Sequence, residues 1–141
     1  SEADAVRAAE AILLDAECWT DEVPEIAAAG GIEVGIGIAS GTVSWGAVGR
    51  DDRLEMTVIG PAVNLSAKLE KHNKKRASRC ICDAATWQAA CEQGYDGVLE
   101  GDIVRVTVEG TGRQMKIAVL HPRLAPRMSG LAPEGRKLTE T

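Results

Sequence analysis

Asn64 and Lys68 stand four residues apart in the stretch 61–71, and on a helix that spacing places a carboxamide and an ammonium on one face, rotated away from Leu65 and Leu69. Two such groups can converge on one anion. Immediately downstream come Lys71, Lys74, Lys75, Arg76 and Arg79, so residues 68–79 hold six basic side chains against one acidic. A run of that density suits a phosphate-bearing ligand or nucleic acid, and equally a plain solvated helix face. Nucleic acid is disfavoured by a formal net charge of −5 and by aromatics confined to Trp19, Trp45, Trp87 and Tyr95, too few for base stacking.

Other candidate chemistry fails on spacing. Gly35 and Gly37 are followed by Gly41, one residue late for a dinucleotide fingerprint, and the stretch from Gly41 to Gly46 continues into Ala47 where a phosphate loop needs Lys. These glycines read instead as turns and close backbone approaches. Cys80 and Cys82 alternate on a strand and share a face, which is half of a metal site without partners, because His72 and His121 each stand alone. The four cysteines, Cys18 and Cys91 included, read as free and largely buried thiols, and both imidazoles as surface groups. The sequon Asn64-Leu65-Ser66 lies within a helix and is set aside.

The elements that must position these residues follow from periodicity. Ala5, Ala9, Ile12, Ala16 and Trp19 recur in steps of four and three, the stripe of an amphipathic helix over residues 1–19. Ile32, Val34, Ile36 and Ile38 alternate as a strand, a second strand spans 43–48, and a third covers 56–59 after the charged turn at Arg50 to Arg53. These three are expected to form one antiparallel unit. Gly60-Pro61 opens a helix over 61–71 with Ala62, Leu65 and Leu69 inward. A strand over 79–83, a helix capped by Asp83 and closed by Gly94, and a hairpin around Gly110-Thr111-Gly112 complete the order αβββαβαββ. That order indicates an α+β sandwich, with helices on one side of a mostly antiparallel sheet.

Hydrophobic residues make up 45% of the 141 and charged residues 26%, values of a packed domain rather than a disordered chain. Residues 1–30 carry eight acidic side chains and one basic, opposite in sign to the stretch after Asn64. No apolar run reaches the roughly 18 residues of a membrane span, no signal-peptide pattern opens the chain, and the expected setting is cytoplasmic. Past Leu120, Pro122, Pro126, Gly130, Pro133 and Gly135 predict a flexible tail over 121–141.

Read in order, the glycine-rich strand Gly35-Ile36-Gly37-Ile38-Ala39-Ser40-Gly41, then Val48-Gly49, then the stretch from Met56 through Thr57, Val58, Ile59, Gly60, Pro61, Ala62, Val63, Asn64 and Leu65 to Glu70, resemble the class III adenylate/guanylate cyclase catalytic domain. The likeness runs to the last hairpin near Leu120 and covers the C-terminal two-thirds of such a domain, so residues 1–120 read as a partial cyclase domain whose first strands lie upstream. The resemblance implies a ferredoxin-like α/β sandwich, a head-to-tail homodimer with sites at the subunit interface, and conversion of ATP to cyclic AMP and pyrophosphate. It assigns the ribose to Asn64, the transition-state charge to Lys68 in place of an Arg, and the adenine amino group to Thr57. It also implies two Mg or Mn ions held by upstream aspartates. Without those strands, the face of residues 32–38 and the stripe of the first helix are expected to lie open. Two departures stand out. Lys68 lacks the planar fork of Arg, and Glu109 precedes Gly110 where the family carries Lys. Both fit a second reading, a cyclase-derived module that dimerises and regulates an attached domain without turnover.

Overall fold

The computed structural model describes residues 1–110 and 112–123. Helices α1 (Glu2–Glu22) and α2 (Pro24–Ala28) lead into β1 (Ile36–Ile38), β2 (Ser44–Arg50), β3 (Arg53–Ile59), α3 (Pro61–Arg76), β4 (Cys80–Asp83), α4 (Ala84–Glu92), β5 (Leu99–Thr107) and β6 (Gln114–Pro122). The fold is α+β. The tail expected from residue 121 falls almost wholly outside the described residues, although β6 itself continues through Pro122.

A four-stranded sheet has the order β1-β4-β6-β5. β5 and β6 form the expected hairpin, with Val106 opposite Met115 and Val104 opposite Ile117. Two of its three pairings, β4 with β6 and β5 with β6, are antiparallel as expected, but β1 and β4 run parallel in the register Ile36 with Cys80 and Ile38 with Cys82, so the sheet is mixed. The connection between them explains the difference: α3 carries the chain back along the sheet, so β4 starts at the same end as β1. Nor do the first three strands form one unit. β2 and β3 pair only with each other, as a separate antiparallel ladder. Within the stretch 32–38 only the last three residues are strand.

Helices cover both faces of the sheet, not one. Cys80 and Cys82 point into a cluster with Ala3, Val6, Ala9 and Leu13 of α1, whereas Ile81 points the other way, toward Leu69 of α3 and Ile117. These three of the four β4 side chains are fully buried, and a strand buried on both sides needs cover on both sides. The face expected to lie open is therefore covered by α1, with Ile36 and Ile38 packed against the same cluster. The buried stripe of α1 is Ala3, Val6, Ala9, Leu13 and Ala16; it shares Ala9 and Ala16 with the expected stripe, whereas Ala5, Ile12 and Trp19 are exposed and Ala3, Val6 and Leu13 take the inward positions.

The thiols divide. Cys80 and Cys82 are buried, with burial pushing the Cys80 thiol up to about 12, while Cys18 and Cys91 are exposed, contrary to expectation. His72 is also buried rather than superficial.

α3 meets β1 backbone to backbone at Gly37. A Cβ built there would lie 2.0 Å from the Ser66 carbonyl oxygen and 2.5 Å from the Glu70 nitrogen, distances no side chain tolerates. Replacing Gly37 with Ala should force α3 off the sheet and cost about 1–3 kcal/mol or more, read as a lower urea midpoint. Gly46→Ala, which meets nothing within 4 Å, should lose far less and serves as the control.

Candidate functional site

The site is carried by α3, and its placement begins with the lattice of bonds at the helix end. Gly60 precedes Pro61 at the first helical position, where a missing N–H costs nothing. The helix continues five residues past the expected end, through the basic run, because Lys and Arg are good helix formers. It closes at Ala77 in the left-handed conformation, φ +50°. Buried Asn73 then ties the helix to the sheet: its Nδ2 donates to the Ile36 carbonyl at 3.0 Å, and its Oδ1 accepts from the Ser78 hydroxyl at 2.9 Å.

With α3 so fixed, Asn64 is exposed near its start and Lys68 follows one turn later. Among the described residues the Asn64 carboxamide and the Thr57 hydroxyl make no hydrogen bond to the protein and remain available to a ligand. Thr57 stands on β3, opposite Gly46, three residues before the Gly60 that opens α3. Lys68 reaches across to the β5–β6 turn, where its Nζ donates to the Gly110 carbonyl at 3.4 Å. The structure thus brings Lys68 to the turn that carries Glu109, while no bond joins Thr57 to either helix residue. Glu109 does not face α3 uncompensated, because its Oε2 lies 3.4 Å from Lys75 Nζ.

Sequence reasoning missed His72 as an inward residue of this helix. Burial, then the positive charges of Arg76 and Lys75, hold its imidazole below the ordinary range, because each disfavours the charged form. Its place three residues after Leu69 and seven after Leu65, on the inward face of the helix, was the available signal. His121 is shifted the opposite way, first by the Pro122 carbonyl, then by Asp102, whose Oδ2 lies 2.8 Å from His121 Nε2.

Among the described residues no group of three or more His, Cys, Asp or Glu side chains could hold a metal ion. Nor is any helix there long and apolar enough to cross a membrane.

No known family profile matches the chain. Relatives do. An uncharacterized protein of Mycobacterium tuberculosis strain CDC 1551 is 34% identical over 119 residues, 84% of this chain and 19% of its own length. One from Mycobacterium bovis is 37% identical over 115 residues, 82% of this chain and 19% of its own. Another, from Mycobacterium tuberculosis strain H37Rv, is 39% identical over 89 residues, 63% of this chain and 15% of its own. The chain spans about a fifth of the length of the first two.

The two imidazoles set opposing pH responses. A His held below its unfolded value lends stability that is full above that value and is lost as pH falls, whereas the raised His121 contributes stability below its unfolded value that is lost as pH rises. His121→Gln should therefore leave a domain whose stability climbs monotonically between about pH 5.5 and 7. Denaturant midpoints across that range check it, and a flat profile would refute the role given to His72.

Proposed function

We propose that this chain is part of a class III nucleotide cyclase and that α3 supplies its ribose and transition-state contacts. The observation that carries the reading is the ordered signature from Gly35 to Glu70, which falls on β1, β2, β3 and α3 in that order, with the Asn64 and Thr57 side chains making no hydrogen bond among the described residues. In the reaction the ribose 3′-oxygen attacks the α-phosphorus in line, and its proton passes through water to the departing pyrophosphate. The bond from that phosphorus to the bridging oxygen of the β-phosphate breaks, releasing cyclic AMP and pyrophosphate.

Each residue has a defined task. The Asn64 carboxamide hydrogen-bonds the ribose and fixes the direction of attack, a contribution of positioning. Lys68 sets a positive charge against the charge that develops on the phosphoryl oxygens, with one ammonium in place of a planar fork. The Thr57 hydroxyl accepts a hydrogen bond from the adenine amino group. The metal ions that the resemblance implies find no cluster of ligands among the described residues.

A head-to-tail homodimer, with ATP bound between subunits in a cytoplasmic setting, belongs to the same reading. The β2–β3 ladder supports it: Trp45 opposite Val58 and Met56 opposite Ala47 share one face, with Trp45 75% and Met56 65% exposed. An apolar sheet face of this kind is a natural surface for a second copy.

Native-length protein supplied with ATP and Mn should form cyclic AMP. Asn64→Ala should lower kcat by a factor of roughly a hundred or more, within the range for lost positioning, and Lys68→Arg should retain or raise turnover. Unchanged turnover in Asn64→Ala would remove the site assignment. No product from a folded dimer would instead favour the regulatory module to which Lys68 and Glu109 also point.

A further inference from the structure

Strand β6 outruns one of its neighbours. Leu120 is level with Cys80, the first residue of β4, while Pro122 is level with Leu99 of β5, so His121 and Pro122 have a partner strand on one side only. The gap on the other side is a cleft of about 330 Å³, bounded by residues 76–79, which lead from α3 into β4, and by Leu13 and Glu17 of α1. Pro122 carries no N–H for a ladder, so the gap is ill suited to a further strand and open to a ligand that needs no backbone pairing.

Two kinds of surface meet in this cleft. Leu13, Val119 and Leu120 make part of its lining apolar, and Leu13 and Leu120 belong to the buried cluster beneath α1. Arg76 and Arg79 bring two guanidinium groups to the same lining. Arg76 makes no hydrogen bond or ion pair among the described residues. Arg79 has Glu17, with Nη1 3.8 Å from Oε1 and both side chains more than half exposed, a pair of little net strength. His121, the other basic group there, is engaged by Asp102 Oδ2 at 2.8 Å. Two guanidinium groups against the single carboxylate of Glu17 leave a surplus of positive charge, and a guanidinium matches a carboxylate through paired N–H donors.

An apolar recess with a cationic rim discriminates on both counts. An inorganic anion satisfies the rim and leaves the recess wet, whereas a neutral hydrocarbon fills the recess and leaves the arginines unused. The volume, about 330 Å³, stands at the lower end of the range of roughly 300–1,000 Å³ for small-molecule sites.

We propose that this cleft binds a small organic carboxylate, with the apolar body against Leu13, Val119 and Leu120 and the carboxylate on Arg76 and Arg79. Glu17 is the counter-ion that Arg79 gives up when the ligand enters. Arg76 lies eight residues beyond Lys68, about 12 Å along the helix axis. The site is therefore separate from the one at the start of α3, and the inference does not rest on the nucleotide reading.

Titration calorimetry of native-length protein with 2-naphthoate tests this, beside 2-naphthylmethanol, which keeps the rings without the charge, and acetate, which keeps the charge without the rings. 2-Naphthoate should bind, and each control should bind about tenfold more weakly or worse. Arg76→Gln should weaken 2-naphthoate about fivefold or more through loss of a charge-assisted hydrogen bond, and Glu17→Gln should tighten it. Lys74→Gln, an equal charge change at a residue lining a different hollow, should alter it less than about twofold. In proton NMR spectra, the imidazole signal that is missing from His121→Gln should shift as 2-naphthoate is added. The substituted side chains at 17, 74 and 76 are exposed, so native circular dichroism is expected of each variant. Equal affinity for 2-naphthoate and 2-naphthylmethanol, equal weakening by Arg76→Gln and Lys74→Gln, an unmoved His121 signal, or no binding by natively folded wild type would each overturn the proposal. Cyclic AMP formation, or its absence, leaves these outcomes unchanged.

Discussion

The close approach of α3 to β1 at Gly37 governs the rest of the molecule. Because residue 37 has no Cβ, the carbonyl of Ser66 and the nitrogen of Glu70 can sit where a side chain would be. The helix then drops Leu69 into the cluster with Ile81 and Ile117, and Asn73 closes the contact with its bond to the Ile36 carbonyl. One face of α3 is thereby committed to the sheet. Asn64 is left to solvent, and Lys68, Lys71 and Lys75 are turned toward the β5–β6 turn. A helix held by side-chain packing alone would have more freedom to rotate, and a small rotation would carry these groups off their targets.

Electrostatics acts on the same helix. The chain is acidic overall, yet the segment from Lys68 to Arg79 is strongly basic, and the helix C-terminus favours cations in its last turn, where Lys74, Lys75 and Arg76 stand. Burial at position 72 disfavours the charged form of the imidazole beneath the lysines. Glu109, which by sequence alone looks hostile to a phosphate, is balanced by Lys75. Net charge is therefore a poor guide to what this surface accepts, and the local arrangement of cations decides it.

Parts of this were legible in the residues. The β5–β6 hairpin follows from strict alternation of Val104, Val106 and Val108 with a glycine turn, the start of α3 from Gly60-Pro61, and the cap of α4 from Asp83, whose Oδ2 accepts from the Thr86 N–H at 3.0 Å. The phase of α1 was not legible, because two apolar stripes coexist there and only the sheet decides between Leu13 and Ile12. The parallel pairing of β1 with β4 depends on a long crossover, residues 39–79, which local periodicity does not encode. For the site, i, i+4 spacing sufficed to place Asn64 and Lys68 together. The β5–β6 turn, at Glu109 and Gly110, is about forty residues away in sequence and joins the site only when Lys68 meets it.

The central claim is that α3 and the β5–β6 turn together hold a nucleotide. A crystal structure of native-length protein with Mn and a non-reactive ATP analogue measures this directly. The account predicts ribose against Asn64 and phosphates running along Lys68 toward Gly110. A nucleotide bound elsewhere, with α3 untouched, would contradict it.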